Sequence, residues 1–192
     1  VIHKVMFDRI ELGTYLIASG LIGEKINILK NNPKLIKTEI KVLKKMGIKM
    51  KIGKNQITVF KSKIIKNARI KTEPYPGFPT DLQAQIMVLM TRAEGISKIK
   101  ESIFENRFMH VPELKRMGAK IEIKDNVAKV YGVTKLSGAE VMATDLRASV
   151  SLVLAGLIAE NRTIINRIYH LDRGYENLES KLKKCKAIIQ RI

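Results

Sequence analysis

The sequence predicts an α/β (α+β) fold in which three α-β-α-β-β repeats close into a prism, with the third repeat incomplete. Three observations predict it. An aspartate opens an apolar stretch three times, at Asp8, Asp81 and Asp145. Each stretch leads, through a β-like segment, into a basic amphipathic helix that ends in Leu-Lys-Lys-Met, Leu-Lys-Arg-Met or Leu-Lys-Lys-Cys. The spacing between the aspartate and this helix end is similar in all three cases. We place the repeats at residues 8–60, 81–131 and 145–192.

The first repeat has the clearest local signals. Pro33 suits the start of a helix, where its missing N–H needs no partner, and Gly47 is typical of a residue just beyond a helix C-terminus. Alternating apolar and polar residues around a short turn indicate a hairpin. We predict helices at 11–21 and 33–46, and strands at 25–29, 48–52 and 56–60.

The second repeat predicts a helix at 81–93, a strand at 97–101, a helix ending at 111–117, and hairpin strands at 120–123 and 128–131. The third predicts a helix at 145–159, a strand at 163–166, a helix at 175–185 and one last strand at 187–191, whose partner must come from elsewhere. Lys186 replaces the glycine that follows the matching helices, so we expect that helix to end without its usual cap. The proline-rich linker 71–80 is expected to lack regular structure, and 136–144 links the second and third repeats.

Length and composition bound the class of protein. A chain of 192 residues with 45% hydrophobic residues is most simply one globular domain, spanning 1–192. No apolar stretch approaches the roughly 20 residues that span a bilayer. The single cysteine, Cys185, excludes an internal disulfide, and we expect it to be buried on the apolar side of its helix. Because the first residues resemble the middle of a protein, we also expect an excised domain.

The formal net charge of +18 has three interpretations. One is nucleic-acid binding through phosphate contacts, although the scarce aromatic residues argue against base-stacking platforms. Another is a lysine-rich, solvated surface, because the basic residues are scattered along the chain. A third is an overall positive field that steers an anionic small molecule. We favour the lysine-rich surface with anion steering.

Residues at helix starts form the candidate site. Asp81 follows a rigid loop, and we expect Thr80 to cap the helix and leave Asp81 free to face a cleft; capping by Asp81 itself is the alternative. Arg147 is unusual on a first helical turn, where the helix dipole is already positive. Arg107 and Arg173 occupy matching positions. Three arginines at equivalent places predict a cationic cluster for phosphate or carboxylate at one end of the prism, although each alone also suits a surface salt bridge.

Neither a metal nor a cofactor is predicted. His3, His110 and His170 lack the spacing of metal ligands, and we expect the last two to be structural. The sequence has no Walker loop, no G-x-G-x-x-G and no serine in a nucleophile elbow.

Four longer motifs resemble one family of enzymes. They are PGFPTDLQAQ at 76–85, FENRFMHVPEL at 104–114, LSGAEVMATDLRAS at 136–149 and RIYHLDRGYE at 167–176. Together they closely resemble the UDP-N-acetylglucosamine 1-carboxyvinyltransferase family of enolpyruvyl transferases, over residues 8–192. The sister family, 5-enolpyruvylshikimate-3-phosphate synthase, shares that fold without the FENRFMH run.

The resemblance implies an enzyme of two domains, each an inside-out α/β barrel of three repeats. It implies the transfer of enolpyruvyl from phosphoenolpyruvate to the 3′-hydroxyl of UDP-N-acetylglucosamine, with release of phosphate, at the first committed step of peptidoglycan synthesis in the cytoplasm. By position, Asp81 matches the general base, which also contacts the sugar nucleotide, and Ile103 matches a backbone contact to the same substrate. The arginines that match phosphoenolpyruvate-binding residues are Arg147 and Arg173. Residues that match the lining of the interdomain cleft are Asp8, Arg107 and Asp145.

Several features of that family are missing from this sequence. It has no loop with the acid cysteine that fosfomycin modifies, no lysine–asparagine pair and no arginine beside that cysteine, and all of these belong to the other domain. We therefore expect one domain that cannot turn over substrate alone, with UDP-N-acetylglucosamine, phosphoenolpyruvate and the missing second domain as its partners and no membrane partner. The alternatives are a non-catalytic paralogue that binds the sugar nucleotide and a basic nucleic-acid-binding module.

Overall fold

The computed structural model describes residues 2–3 and 5–192 and shows a mixed α/β fold. The described residues form six α-helices and nine strands, and the strands belong to three separate sheets. None of the described helices is both long and apolar enough to cross a membrane.

The first repeat follows the predicted order of elements. Its elements are α1 (Arg9–Ile22), β1 (Lys25–Leu29), α2 (Lys37–Lys45), β2 (Lys49–Ile52) and β3 (Gln56–Phe60). A 3-10 helix at Pro33–Ile36 precedes α2, so the predicted helix at 33–46 begins in a tighter geometry. The strands pair antiparallel in the order β1-β3-β2.

The second repeat adds a strand that the sequence analysis did not predict. Its elements are β4 (Arg69–Lys71), α3 (Gln83–Thr91), β5 (Ile96–Lys100), α4 (Val111–Arg116), β6 (Lys120–Lys124) and β7 (Val127–Tyr131). The strand β4 lies parallel to β5 at one edge of a sheet ordered β4-β5-β7-β6. The predicted hairpin of β6 and β7 is present, and Asp125 in its turn has a φ of 53°.

The third repeat differs most from its prediction. Its elements are β8 (Glu140–Met142), α5 (Leu146–Ile158), β9 (Ile164–Asn166) and α6 (Leu178–Lys184). The last helix begins later than predicted because a 3-10 helix, Ile168–Arg173, and a left-handed Asn177 precede it. The strand predicted at 187–191 is wrong, since that segment has no regular structure. A strand needs a partner, and the sheet of this repeat contains β8 and β9 alone among the described residues.

Three helices, α1, α3 and α5, contact one another and form the centre of the fold. Every residue of α3 is buried. A helix that is buried on all sides needs no polar face, which explains the long apolar runs in the sequence. Each of these helices also contacts strands of its own repeat.

The second helices of the repeats end in one common geometry. Gly47 and Gly118 have φ values of 88° and 93°, and Lys186 adopts a φ of 68° at the matching position. In each case the next residue donates its N–H to the carbonyl five residues back, as Ala187 does to Leu182 at 3.1 Å. The expectation that the last helix lacks its usual cap is therefore wrong, because Lys186 takes the left-handed conformation itself.

Candidate active site

Asp81 lies at the centre of an ion-pair cluster. Its Oδ1 accepts a hydrogen bond from Arg107 Nη2 at 2.9 Å, and its Oδ2 accepts one from Arg147 Nη2 at 3.0 Å. The side chains of Asp81, Arg107 and Arg147 are 37%, 30% and 18% exposed. One half-buried carboxylate thus joins two guanidinium groups from different repeats at a surface that solvent reaches.

The local structure explains why Asp81 is available for these contacts. It lies inside a 3-10 helix, Thr80–Leu82, so its side chain makes no capping hydrogen bond. Thr80 does not cap this helix either, contrary to the prediction, because its hydroxyl donates to Glu101 Oε2 at 2.9 Å. The alternative that Asp81 itself is an N-cap is therefore wrong.

Arg147 is the most buried cation of the cluster. Besides Asp81, its guanidinium contacts the hydroxyl of Tyr175, 3.4 Å from Nη1. Burial acts to lower the pKa of Arg147, but the hydrogen bonds and charge of Asp81 and Tyr175 outweigh it and raise that pKa. Arg147 is therefore a permanent positive charge in a partly desolvated place.

Tyr175 connects the three repeats beneath the ion pairs and is 2% exposed. Its hydroxyl lies 2.8 Å from Thr14 Oγ1 in α1 and 3.3 Å from Gln85 Nε2 in α3. Burial raises the pKa of Tyr175, while the hydrogen bonds with Thr14, Gln85 and Arg147 act in the opposite direction. The beginnings of the three central helices therefore meet at one phenol, which remains protonated at neutral pH.

Sequence reasoning missed Tyr175, Gln85 and Thr14. The available signals were weak: a glutamine and a threonine within apolar helices, and a tyrosine just after the glycine of the fourth motif. A polar residue in a buried helix needs a partner, but its own sequence neighbours do not identify that partner.

Two of the three aspartates at the helix starts are caps. Asp8 Oδ1 accepts from the N–H groups of Ile10 and Glu11, at 2.7 and 3.2 Å. Asp145 Oδ1 accepts from the N–H groups of Arg147 and Ala148, at 2.7 and 2.9 Å. Asp145 thereby fixes the backbone that carries Arg147.

The remaining candidates lie outside the cluster. Arg173 ends the 3-10 helix at 168–173, is exposed, and forms no ion pair with the residues that the structure describes. Ile103 is half-buried and lines an open groove of about 790 Å³, together with Thr38, Phe78 and residues 69–71. The groove does not include Asp81 but borders the loop that precedes it. The structure therefore joins Asp81, Arg107 and Arg147 directly, and it leaves Arg173 and Ile103 apart from them.

Two further residues considered in the sequence analysis, His110 and Cys185, lie outside the ion-pair cluster around Asp81. His110 is buried, and that burial lowers its pKa to about 4; the charge of Asp145 acts to raise this pKa and the charge of Arg107 acts to lower it, both less than burial does. Cys185 is exposed at the end of α6, so its predicted burial is wrong. Within the described part of the chain, no group of three or more histidine, cysteine, aspartate or glutamate side chains is arranged to hold a metal ion.

Comparisons with known proteins agree on one family. The profile described as EPSP synthase (3-phosphoshikimate 1-carboxyvinyltransferase) matches residues 1–182. The UDP-N-acetylglucosamine 1-carboxyvinyltransferase of Pelagibacter ubique is 61% identical over 190 residues, which cover 99% of this chain and 46% of that protein. The protein of the same name from Bartonella tribocorum is 55% identical over 98% of this chain and 44% of its own length.

Two solved structures are similar to this chain. The enolpyruvyl transferase NikO from Streptomyces tendae superposes with a TM-score of 0.91 at 29% identity, over 97% of this chain and 44% of that one. The EPSP synthase of Acinetobacter baumannii, at 13% identity over 85% of this chain and 39% of that one, has a TM-score of 0.65 and shows the shared fold alone. The chain spans about half the length of the curated relatives that it matches.

Proposed function

The chain belongs to the EPSP synthase family, and from that premise we propose that it is the domain of a UDP-N-acetylglucosamine 1-carboxyvinyltransferase that supplies the general base. The reaction is transfer of enolpyruvyl from phosphoenolpyruvate to the 3′-hydroxyl of UDP-N-acetylglucosamine. One observation carries the proposal: the carboxylate of Asp81 is held between Arg107 and Arg147 at an accessible surface. The names of the relatives supply the substrates.

The charges of the cluster fit an anionic substrate. Two guanidinium groups and one carboxylate leave a net positive charge, and Arg173, which precedes Tyr175 by two residues in the third repeat, adds another. Phosphoenolpyruvate carries a phosphate and a carboxylate, and both suit the fork of a guanidinium. In the proposed complex, Arg147 and Arg173 hold phosphoenolpyruvate, and this neutralises its charge next to the acceptor sugar.

Asp81 has the chemistry of the proton acceptor. When the substrate anion takes hydrogen bonds from the arginines, the carboxylate becomes free to accept the proton of the 3′-hydroxyl or, during elimination of phosphate, the proton of the new methyl group. Each step needs the carboxylate within hydrogen-bonding distance of the reacting atom. The backbone at Ile103 would hold the sugar nucleotide, and Asp8, Arg107 and Asp145 would line the cleft.

The rest of the enzyme completes the proposal. Residues 1–192 form one domain whose three sheets close around α1, α3 and α5 as an inside-out barrel, and a second domain supplies the acid and the opposite wall of the cleft. The site works in the cytoplasm at the first committed step of peptidoglycan synthesis. We expect the chain alone to be inactive because, in this proposal, the acid that protonates the methylene carbon of phosphoenolpyruvate belongs to the second domain.

A chimera tests this function. The chain replaces the matching 46% of the Pelagibacter ubique enzyme, and phosphate release is measured with both substrates. We expect turnover by the chimera and none by the chain alone. Asp81→Asn should lower kcat by about 100-fold or more, the usual contribution of a general base.

A matched control separates chemistry from folding. Asp125→Asn makes the same chemical change in an exposed hairpin turn, where asparagine also tolerates the positive φ, and it should leave kcat unchanged. Unimpaired turnover in a folded Asp81→Asn chimera would remove Asp81 as the base. A chimera that binds UDP-N-acetylglucosamine without releasing phosphate would support a non-catalytic paralogue instead.

A further inference from the structure

Glu101 is a buried carboxylate that the catalytic proposal does not use. It is 2% exposed, and no basic side chain pairs with it among the residues that the structure describes. The other buried glutamate, Glu39, has the usual solution, a guanidinium from Arg9 at 3.0 Å. A buried carboxylate is normally paired with a cation, so the position of Glu101 needs a different explanation.

Four neutral donors surround this carboxylate instead. Oε1 accepts from the Thr72 hydroxyl at 2.7 Å and from the N–H groups of Ile103 and Phe104 at 2.9 and 3.3 Å. Oε2 accepts from the Thr80 hydroxyl at 2.9 Å. Backbone N–H groups can only donate, so the arrangement needs an acceptor at this place.

The donors come from two loops that meet at the candidate site. Thr72 and Thr80 bound the proline-rich loop that leads into Asp81, and Ile103 and Phe104 begin the loop that leads to Arg107. The same loops are joined a second time, because Ser102 N–H donates to Thr72 Oγ1 at 2.9 Å. Glu101 is therefore the common acceptor of both loops.

Together with the Asp81–Arg107 ion pair, these contacts form a closed chain that starts and ends at Glu101. Thr80 is the neighbour of Asp81, Asp81 accepts from Arg107, and the Arg107 guanidinium lies 5.2 Å from the centre of the Phe104 ring. The N–H of Phe104 returns to Glu101. A shift at Glu101 would thus move both ends of the Asp81–Arg107 ion pair and the Ile103 backbone.

We propose that Glu101 is a positioning residue that sets the location of Asp81 and of the Ile103 backbone for the sugar nucleotide, an inference that rests on the proposed function. It acts through two hydroxyls and two N–H groups rather than through contact with substrate. Small displacements of catalytic groups produce large losses of rate, so a carboxylate that joins both loops determines how well the site is assembled.

Hydrogen exchange of the chain tests the structural half of this inference without any activity. Glu101→Ala should speed exchange of the Ile103 and Phe104 amides by about tenfold or more, because both lose their acceptor, while amides of α3 keep their protection. Glu101→Gln should preserve that protection, since its side-chain carbonyl replaces Oε1 and its NH₂ can donate to the Thr80 hydroxyl. The control is Glu94→Gln, an exposed glutamate before β5, which should change nothing.

Kinetics of the chimera test the functional half. Glu101→Ala should lower kcat and raise the KM for UDP-N-acetylglucosamine, each by about tenfold. The KM for phosphoenolpyruvate should change by less, because Arg147 and Arg173 belong to the third repeat and Arg147 is affected through its contact with Asp81. Glu101→Gln should restore most of both parameters. A residue needed only for folding would reduce the amount of folded enzyme and leave both KM values unchanged.

The outcomes separate the two proposals. An unsubstituted chimera that releases no phosphate counts against the proposed function, while the exchange rates at Ile103 and Phe104 still decide whether Glu101 holds the loops. If the chimera is active and Glu101→Ala matches the Glu94→Gln control in exchange and in KM, the positioning role is wrong and the proposed function stands.

Discussion

At the scale of single residues, the same amino acid has two uses at equivalent positions. Asp8 and Asp145 precede their helices and accept from first-turn N–H groups. Asp81 lies two residues past the N-cap of its element, because a 3-10 helix begins the second repeat's first helical segment directly after Pro79. Its carboxylate therefore points at arginines rather than at its own helix. A shift of two residues in the helix start therefore separates a capping aspartate from a candidate base.

At the residue scale, the burial of His110 also predicts that the stability of the protein depends on pH. Its pKa is lowered to about 4 by burial, against an ordinary value of 6.5, so the unfolded chain binds a proton that the folded chain rejects. The free energy of unfolding should therefore fall as pH drops below about 6.5, by about 2 kcal/mol between pH 7.5 and 5. Urea denaturation at pH 7.5 and at pH 5 measures this change in the free energy of unfolding.

The control for this effect is His110→Leu, which removes the titrating group and keeps an apolar side chain in the buried site. Other groups titrate equally in both proteins, so the difference between the two pH dependences isolates the imidazole. Identical pH dependences for the two proteins would show that His110 charges freely in the folded state.

At the scale of elements, the C-terminal ends of the second helices have the same geometry in all three repeats although their sequences differ. All three second helices end with a left-handed residue and the same pair of backbone hydrogen bonds, although only two of them have glycine there. A side chain in this conformation is strained by roughly 1 kcal/mol. The docking of Leu182, which is 4% exposed, keeps the last helix in register with the core.

Lys186→Gly should therefore stabilise the protein. We expect the free energy of unfolding to rise by roughly 0.5–1 kcal/mol, because glycine adopts the positive φ without strain. Chemical denaturation of both proteins checks it. Lys184→Gly, the same substitution within α6, should lower the free energy of unfolding by a similar amount. A fall in stability for both variants would contradict the proposed strain at Lys186.

At the scale of the whole molecule, one buried phenol links the repeats. Tyr175 belongs to the third repeat, and its hydroxyl contacts Thr14 of the first and Gln85 of the second. Most of the core holds the repeats together through apolar contacts, which have no direction. The hydroxyl adds a directional contact just below the ion-pair cluster, so it aligns the three helix starts that carry the site.

Removal of this hydroxyl should weaken the whole domain. Tyr175→Phe removes the hydroxyl that Thr14, Gln85 and Arg147 share, and it leaves only the contact of Gln85 Nε2 with Thr14 Oγ1 at 3.2 Å between the first two repeats at this point. The free energy of unfolding should therefore fall by about 1–2 kcal/mol in a single transition. Tyr169→Phe deletes a hydroxyl from a tyrosine that is 54% exposed and should change stability by less than about 0.5 kcal/mol. Equal effects of the two substitutions in thermal or urea denaturation would contradict a linking role for Tyr175.

Much of the fold was predictable from local patterns. The strand at 25–29, the hairpin at 120–131, the caps at Asp8 and Asp145 and the ends at Gly47 and Gly118 depend on residues within a few positions of one another. The short strands β4 and β8 were missed because each has three residues and forms only by pairing with the strand that lies beyond the following helix. The prediction of a strand at 187–191 is wrong because a suitable sequence pattern is not enough: the described residues provide no neighbouring strand with which it could pair.

The sequence by itself determined the tripled unit, most of its elements, the family resemblance and the choice of Asp81, Arg107 and Arg147 as candidates. Only the tertiary structure decided that these three side chains form one cluster and that Tyr175 lies beneath it. It also decided that Glu101 joins the two loops beside the cluster. Helices and caps depend on neighbours along the chain, whereas a contact between repeats depends on how three helices pack, and no local pattern encodes that packing.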